Sequence, residues 1–147
     1  MRLIPGERYL FDTTVFRDFT YRRQTAVELI RQAGEPNYEI HYSFVTFWEL
    51  KINDSEWSED EQYILLKPFP MIGLHPDIGE LAEQMQHRLQ EKNERRKNKR
   101  SIPEFNDCYI AASAHSYDLR VVTRNQRHFP QFCDLGELSI TVDLYEV

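Results

Sequence analysis

"NDCYIAASAHSYDLRVVTRN", residues 106–125, decides the fold. Up to Leu119 it reads as a compact helix after the break at Pro103: Tyr109, Ile110, Ala112, Ser113 and Ala114 can face packed neighbours, and the small side chains allow close approach. "RVVT" then reads as a buried strand rich in β-branched residues. A helix feeding directly into a buried strand is half of a parallel α/β unit, so further alternation is expected on both sides of it.

Upstream the alternation continues. "RYLF", residues 8–11, reads as a first buried strand that ends at Asp12, after which Thr13 and Thr14 offer turn or cap chemistry. From Arg22 to Ala33 the apolar residues Ala26, Val27, Leu29, Ile30 and Ala33 recur near the helical period, with Gly34 as a C′ stop. "YEIHYSFV" alternates as a second strand, and "TFWELKI" fits a helix opened by Thr46 with Glu49 three residues later. Ser58 to Leu66 reads as a short helix and "FPMIGL" as a third strand. Pro76 to about Asn93 reads as a longer helix carrying Ile78, Leu81, Ala82, Met85 and Leu89. "SITVDLYEV" supplies a fifth strand at the edge. These elements predict an α/β fold of three layers, α/β/α, around a central parallel sheet of four to five strands. A length of 147 residues fits one domain, 1–147, without internal repeat or linker.

Composition narrows the function classes. Eighteen basic against 24 acidic residues give a net charge of −6, which argues against an all-over basic coat but leaves room for a local patch. The two cysteines, Cys108 and Cys133, share no zinc-type spacing and read as free thiols. No apolar run has the length of a signal peptide or a membrane span, so a soluble, cytoplasmic protein with no membrane contact is expected.

In an open parallel sheet, ligands collect beyond the carboxyl ends of the strands. Asp12 follows the first strand, Glu49 lies one turn after the second, Asp107 opens the helix before the fourth, and Asn125 follows the fourth. Each has a purely structural explanation as well. Asp and Asn are favoured N-caps, an acid suits a first helical turn, and "TFWE" matches a capping box that would occupy Glu49. Taken together, three carboxylates without a paired cation repel one another and raise one another's pKa, an arrangement that a bound cation relieves. Oxygen ligands favour Mg²⁺ or Mn²⁺ over zinc. An aspartyl-phosphate chemistry at the first strand would need a second Asp two residues on, where this chain has Thr14.

Through "LFDTTVF", "VTFWEL", "NDCYIAASA" and "VVTRNQRHF", in that order, the sequence resembles the PIN domain, and most of all the VapC-type toxin ribonucleases of bacterial toxin-antitoxin pairs. The resemblance implies a PIN-like fold over nearly the whole chain and a metal-dependent endoribonuclease. Asp12, Glu49 and Asp107 would form its acidic triad on Mg²⁺, with Mn²⁺ as a substitute, and Asn125 a supporting ligand or water-orienting group. It further implies a homodimer and a cognate antitoxin. One position departs: the family commonly has an aspartate directly before the phenylalanine that follows "TRN", and here His128 precedes Phe129. His128 reads as a surface or loop histidine, because no second histidine accompanies it at ligand spacing. The resemblance leaves one metal ion or two open. A rival reading is a catalytically weak or inactive PIN-like module that binds RNA or protein.

"RLQEKNERRKNKR", residues 88–100, sets seven basic against two acidic side chains, a net of +5 that leaves −11 for the rest of the chain. It reads either as a solvated helix end or as an arm that tracks RNA phosphates, with Arg95, Arg96, Lys97, Lys99 and Arg100, joined by Arg124 of "TRN", as RNA-binding candidates. Tyr21, Trp48 and Trp57 offer stacking surfaces, although a core or partner-facing role suits each better.

Overall fold

A computed structural model describes residues 1–53 and 59–147, with side chains for 1–51 and 60–147. The chain runs β1 (Arg8–Phe11), α1 (Thr13–Thr20), α2 (Gln24–Ala33), β2 (Glu39–Ser43), α3 (Phe44–Asn53), α4 (Glu59–Leu66), β3 (Met71–Ile72), α5 (Pro76–Glu94), α6 (Phe105–Tyr117), β4 (Arg120–Thr123) and β5 (Val142–Leu144). Two 3-10 turns, Phe129–Cys133 and Gly136–Leu138, lie between β4 and β5. The strands form one five-stranded sheet in the order β3-β2-β1-β4-β5, with every pairing parallel.

Each strand of a sheet covered on both sides sends alternate residues to opposite faces, and two apolar cores result. Leu10 and Val121 point to one face, where they join Ile78, Ala82, Met85 and Leu89 of α5 and the small-residue run of α6. Tyr9, Phe11, Ile40, Tyr42 and Val122 point to the other, against Val15 and Phe16 of α1 and Leu29 and Ala33 of α2. Ala111, Ala112 and Ala114 are buried in α6, as the small-residue spacing requires. Among the described residues no helix is long and apolar enough to cross a membrane.

Several boundaries depart from the sequence expectation for local reasons. The helix expected from Arg22 begins at Gln24, because Arg22 sits at φ 57° and turns the chain between α1 and α2. There the Arg22 N–H reaches the Phe19 carbonyl at 2.9 Å and the Arg23 N–H the Asp18 carbonyl at 2.9 Å, closing α1. Gly34 does end α2, but at φ −77°, so its left-handed freedom is not what stops the helix. The helix expected to open at Thr46 starts at Phe44, since the Ser43 hydroxyl caps it by accepting the Val45 N–H at 3.1 Å. Strands β3 and β5 are shorter than the apolar runs that suggested them. Trp57 and Ser58 lie outside the described residues.

The order 3-2-1-4-5 places the reversal of strand sequence between β1 and β4, and the crevice at their carboxyl ends is where a doubly wound sheet collects its ligand.

Candidate active site

Asp12 is the residue between β1 and α1, and its backbone N–H extends the sheet by donating to the Val122 carbonyl at 3.0 Å. Its side chain does not cap α1. The hydroxyls of Thr123, at 2.7 Å, and Thr14, at 3.0 Å, both donate to Oδ2 instead. Thr123 ends β4, the strand beside β1, so the two neighbouring strand ends meet on one carboxylate. That carboxylate is 3% exposed, and among the described residues no cation lies within ion-pair distance of it. Burial drives its pKa upward, offset in part by the Thr123 and Thr14 hydroxyls and the nearby main chain.

Glu49 arrives from α3, which follows β2 on the other side of β1. Thr46 stands inside α3 rather than at its cap, so the capping box does not form. The Glu49 Oε1 instead accepts the Thr13 hydroxyl at 2.9 Å, and the Thr13 and Thr46 hydroxyls meet at 3.0 Å. Burial raises the Glu49 pKa, the Thr13 bond opposes it, and repulsion from Asp12 and then Asp107 adds to it. Arg17, one helical turn after Thr13, is close enough to offset part of that repulsion.

Asp107 lies in the first turn of α6. The helix precedes β4 and returns across the sheet, which brings its N-terminus to the edge where the strands end. Asp107 Oδ2 lies 2.9 Å from His128 Nδ1. Its pKa is pushed up to about 6, first by burial and next by the charge of Asp12, with His128 opposing both. The adjacent Cys108 is buried and its thiol is pushed up to about 12, which makes it an inert core side chain.

The structure thus brings Asp12, Glu49 and Asp107 to one edge, within mutual electrostatic reach. Glu49 is held through Oε1 and Asp107 through Oδ2, whereas Asp12 takes two threonine hydroxyls on Oδ2 with the main chain of Thr13 and Thr14 also close to its carboxylate. Mutually repelling carboxylates, one buried and two half-buried, are a donor set that fits a hard divalent cation. As placed, the described residues include no group of three or more His, Cys, Asp or Glu side chains gathered closely enough to hold an ion. The site is a set of convergent acids rather than a closed cage.

Asn125 stands beside them in a more structural part. Its Oδ1 accepts the backbone N–H groups of Arg127 at 3.2 Å and His128 at 3.0 Å, and its own N–H donates to the Thr123 hydroxyl at 3.0 Å. Arg124 donates its backbone N–H to the Thr14 hydroxyl at 3.1 Å and directs its guanidinium to the buried Asp18 at 2.9 Å, where the Tyr145 hydroxyl also donates.

His128 requires a correction: it is a loop residue, but its side chain is only 17% exposed and is bound into the site rather than solvated. Sequence reasoning also missed Thr13, Thr14, Thr123 and Asp18. The "TT" after Asp12 and the Thr closing "VVT" were the available signals, and they read equally well as caps and strand ends.

The basic segment falls into two parts. Arg88 pairs with Glu137 and Lys92 with Asp134, so these two fasten α5 to the loop before β5. Residues 95–100 form an exposed loop closed by Asn93, whose side chain donates to the Arg100 carbonyl at 3.0 Å and accepts the Arg100 N–H at 3.0 Å. Lys99 folds back on the Asn93 and Glu94 carbonyls, and Arg95 stays near Glu91 at 3.8 Å. The side chains of Lys97 and Arg100 make no ion pair among the described residues. Trp48 and Tyr21 are 54% and 53% exposed, which excludes a core role for either.

A family model described as the PIN domain matches residues 9–135, from β1 through the first 3-10 turn. The chain belongs to the PIN-domain family. Solved structures share the fold at low identity. VapBC2 from Rickettsia felis bound to a promoter DNA fragment is 17% identical at a TM-score of 0.70, covering 94% of this chain and 98% of that one. VapBC-1 from nontypeable Haemophilus influenzae is 18% identical at 0.66, covering 92% and 96%. VapBC-5 from Mycobacterium tuberculosis, of the VapBC family of toxin-antitoxin systems, is 21% identical at 0.60, covering 97% and 100%. No curated protein sequence matches the chain.

Proposed function

We propose that this PIN domain is an Mg²⁺- or Mn²⁺-dependent endoribonuclease and the toxin of a type II toxin-antitoxin pair. The observation that carries the reading is the convergence of Asp12, Glu49 and Asp107, the first buried and the other two half-buried, none ion-paired to a Lys or Arg among the described residues, at the reversal point of a PIN-family sheet. Asp12 and Asp107 would hold the ion, Asp107 through the oxygen that its bond to His128 leaves free. When bound, such an ion supplies Lewis-acid stabilisation of a phosphate oxygen and a lowered pKa for a water. Thr14 and Thr123 fix the Asp12 carboxylate, so it presents one oxygen in a set orientation. Glu49, anchored through Oε1 on Thr13, keeps Oε2 to orient the attacking water and accept its proton. Its raised pKa suits that part, because a more basic carboxylate is a stronger proton acceptor. The exposed loop 95–100, with Arg96, Lys97 and Arg100, would lead the RNA backbone toward an otherwise acidic protein.

A protein partner is supported by two apolar depressions that meet at Phe44 of α3. Phe44 and Phe47 with Tyr63 and Met71 line one, and Trp48 with Leu74 and Asn106, the residue before Asp107, line the other. An antitoxin segment seated there would reach the acids, in keeping with relatives solved as VapBC complexes. A homodimer belongs to the same proposal by resemblance.

One observation favours the rival reading of a catalytically silent module: His128 occupies Asp107, and the acids are not closed into a cage. Incubation of total RNA with partner-free protein separates the two. A nuclease cuts with Mg²⁺ or Mn²⁺ and stops with EDTA; a silent module binds without cutting.

A further inference from the structure

The Asp107–His128 pair belongs to a longer chain of contacts. His128 Nδ1 meets Asp107 Oδ2 at 2.9 Å, and Nε2 meets the Ser101 hydroxyl at 3.0 Å on the opposite side of the ring. An ionised carboxylate only accepts, so Nδ1 donates to it; in the neutral ring Nε2 then accepts from Ser101. The His128 backbone N–H is itself taken by Asn125 Oδ1 at 3.0 Å. Gln131 fixes Ser101 in turn by donating to its carbonyl at 3.0 Å and to that of Arg127 at 2.9 Å. Ser101, at the foot of the loop 95–100, thus holds the imidazole opposite Asp107, while Asn125, beyond β4, holds the backbone of His128, so the ring cannot rotate without breaking a bond.

We infer that His128 is a positioning residue that holds Asp107 by one oxygen, Oδ2, so that the other is presented to a divalent cation, with Ser101 as its anchor. The inference rests on the metal-dependent reading of the site. A carboxylate in the first turn of a helix has free side-chain rotation, and fixing it in advance removes an entropy cost from ion binding. A histidine bonded to the outer oxygen of a ligating carboxylate is a partner whose loss weakens metal affinity about 10–100-fold. The same contacts join the base of the basic loop to the acid, since Arg100 directly precedes Ser101.

Mn²⁺ binding to the partner-free protein, measured by calorimetry, tests this without reference to cleavage. Asparagine can place an amide N–H where Nδ1 stands, whereas glutamine reaches toward the Nε2 position and offers nothing to Asp107. His128→Asn is therefore expected to keep Mn²⁺ affinity within a few-fold of wild type. His128→Gln and His128→Ala are each expected to lose about 10–100-fold, and Ser101→Ala a few-fold. Thermal melts in EDTA confirm folding, and if the alanine variant does not fold, the Asn and Gln pair decides. Equal affinities for the Asn and Gln variants, or affinity in either His128→Gln or His128→Ala at or above wild type, overturn the inference while leaving the metal reading in place. Wild type that binds Mn²⁺ no better than Asp107→Asn overturns both.

Discussion

At Asp12 the fold keeps a carboxylate almost out of water on two threonine hydroxyls, and the energy of that choice is measurable. Replacing Thr123 by the isosteric valine removes the 2.7 Å bond and leaves a buried charge less well satisfied. The expected loss is roughly 1.5–3 kcal/mol at pH 7 in metal-free urea denaturation, the range for hydrogen bonds to charged groups. At Asp107 the charged form works against the fold. Its pKa rises from 3.8 unfolded to about 6 folded, so the native state binds the proton more tightly. The favourable contribution is full below pH 3.8 and is lost as pH rises through about 6. Metal-free wild type should therefore lose roughly 1–3 kcal/mol between pH 4 and 7 on account of this group, at about 1.4 kcal/mol per pKa unit. Asp107→Asn should lack that slope and melt higher than wild type at pH 7 in EDTA; equal slopes would show that Asp107 is not held against its charge. The acids were legible in the sequence because each follows a strand or opens a helix. The threonines were not, since a Thr beside an Asp is equally good as a cap. His128 was not legible at all, because its partners lie 21 and 27 residues away and only the fold brings them together.

At the level of elements, α5, α6 and β4 were readable almost to the residue, because periodicity, Pro76 and Pro103 mark their limits. The start of α3 was misplaced because "SFVTFWE" offers two caps, and the strand pairing of Ser43 with Ile72 selects the earlier one. Helix α1 was not read at all, because Thr13 and Thr14 offer turn or cap chemistry as readily as a helix start, and the left-handed Arg22 that separates it from α2 carries no mark in its residue type. The loop 95–100 is the element on which RNA binding depends. Neutralising Arg96, Lys97 and Arg100 to glutamine should weaken single-stranded RNA binding and flatten its salt dependence by up to about two in log–log slope, at roughly 0.7 per phosphate contact. Asn93→Ala, which opens the loop without removing charge, should weaken binding while keeping most of the slope. An unchanged slope in the triple variant would remove the loop from the RNA path.

Across the whole molecule, alternation of strands and helices declared a parallel three-layer fold, while the strand order had to come from the structure, because nothing local states which strands are neighbours. That order makes a site of the scattered acids: β1 and β4 adjoin, and their ends meet at Asp12 and Thr123. It also leaves Trp48 and Leu74 exposed in one pocket that Asn106 helps to line. Trp48→Glu should reduce antitoxin affinity at least tenfold in a direct binding measurement, on the scale of a buried aromatic anchor, without changing cleavage by the free protein; undiminished affinity would place the partner elsewhere. Metal-dependent cleavage is the property that the convergent acids predict for the whole molecule. Total RNA incubated with partner-free wild type in Mg²⁺ or Mn²⁺, with EDTA, and with folded Asp12→Asn should give discrete cuts in the first case and none in the other two. Cutting that survives both EDTA and Asp12→Asn, or no cutting by well-folded wild type, would contradict it.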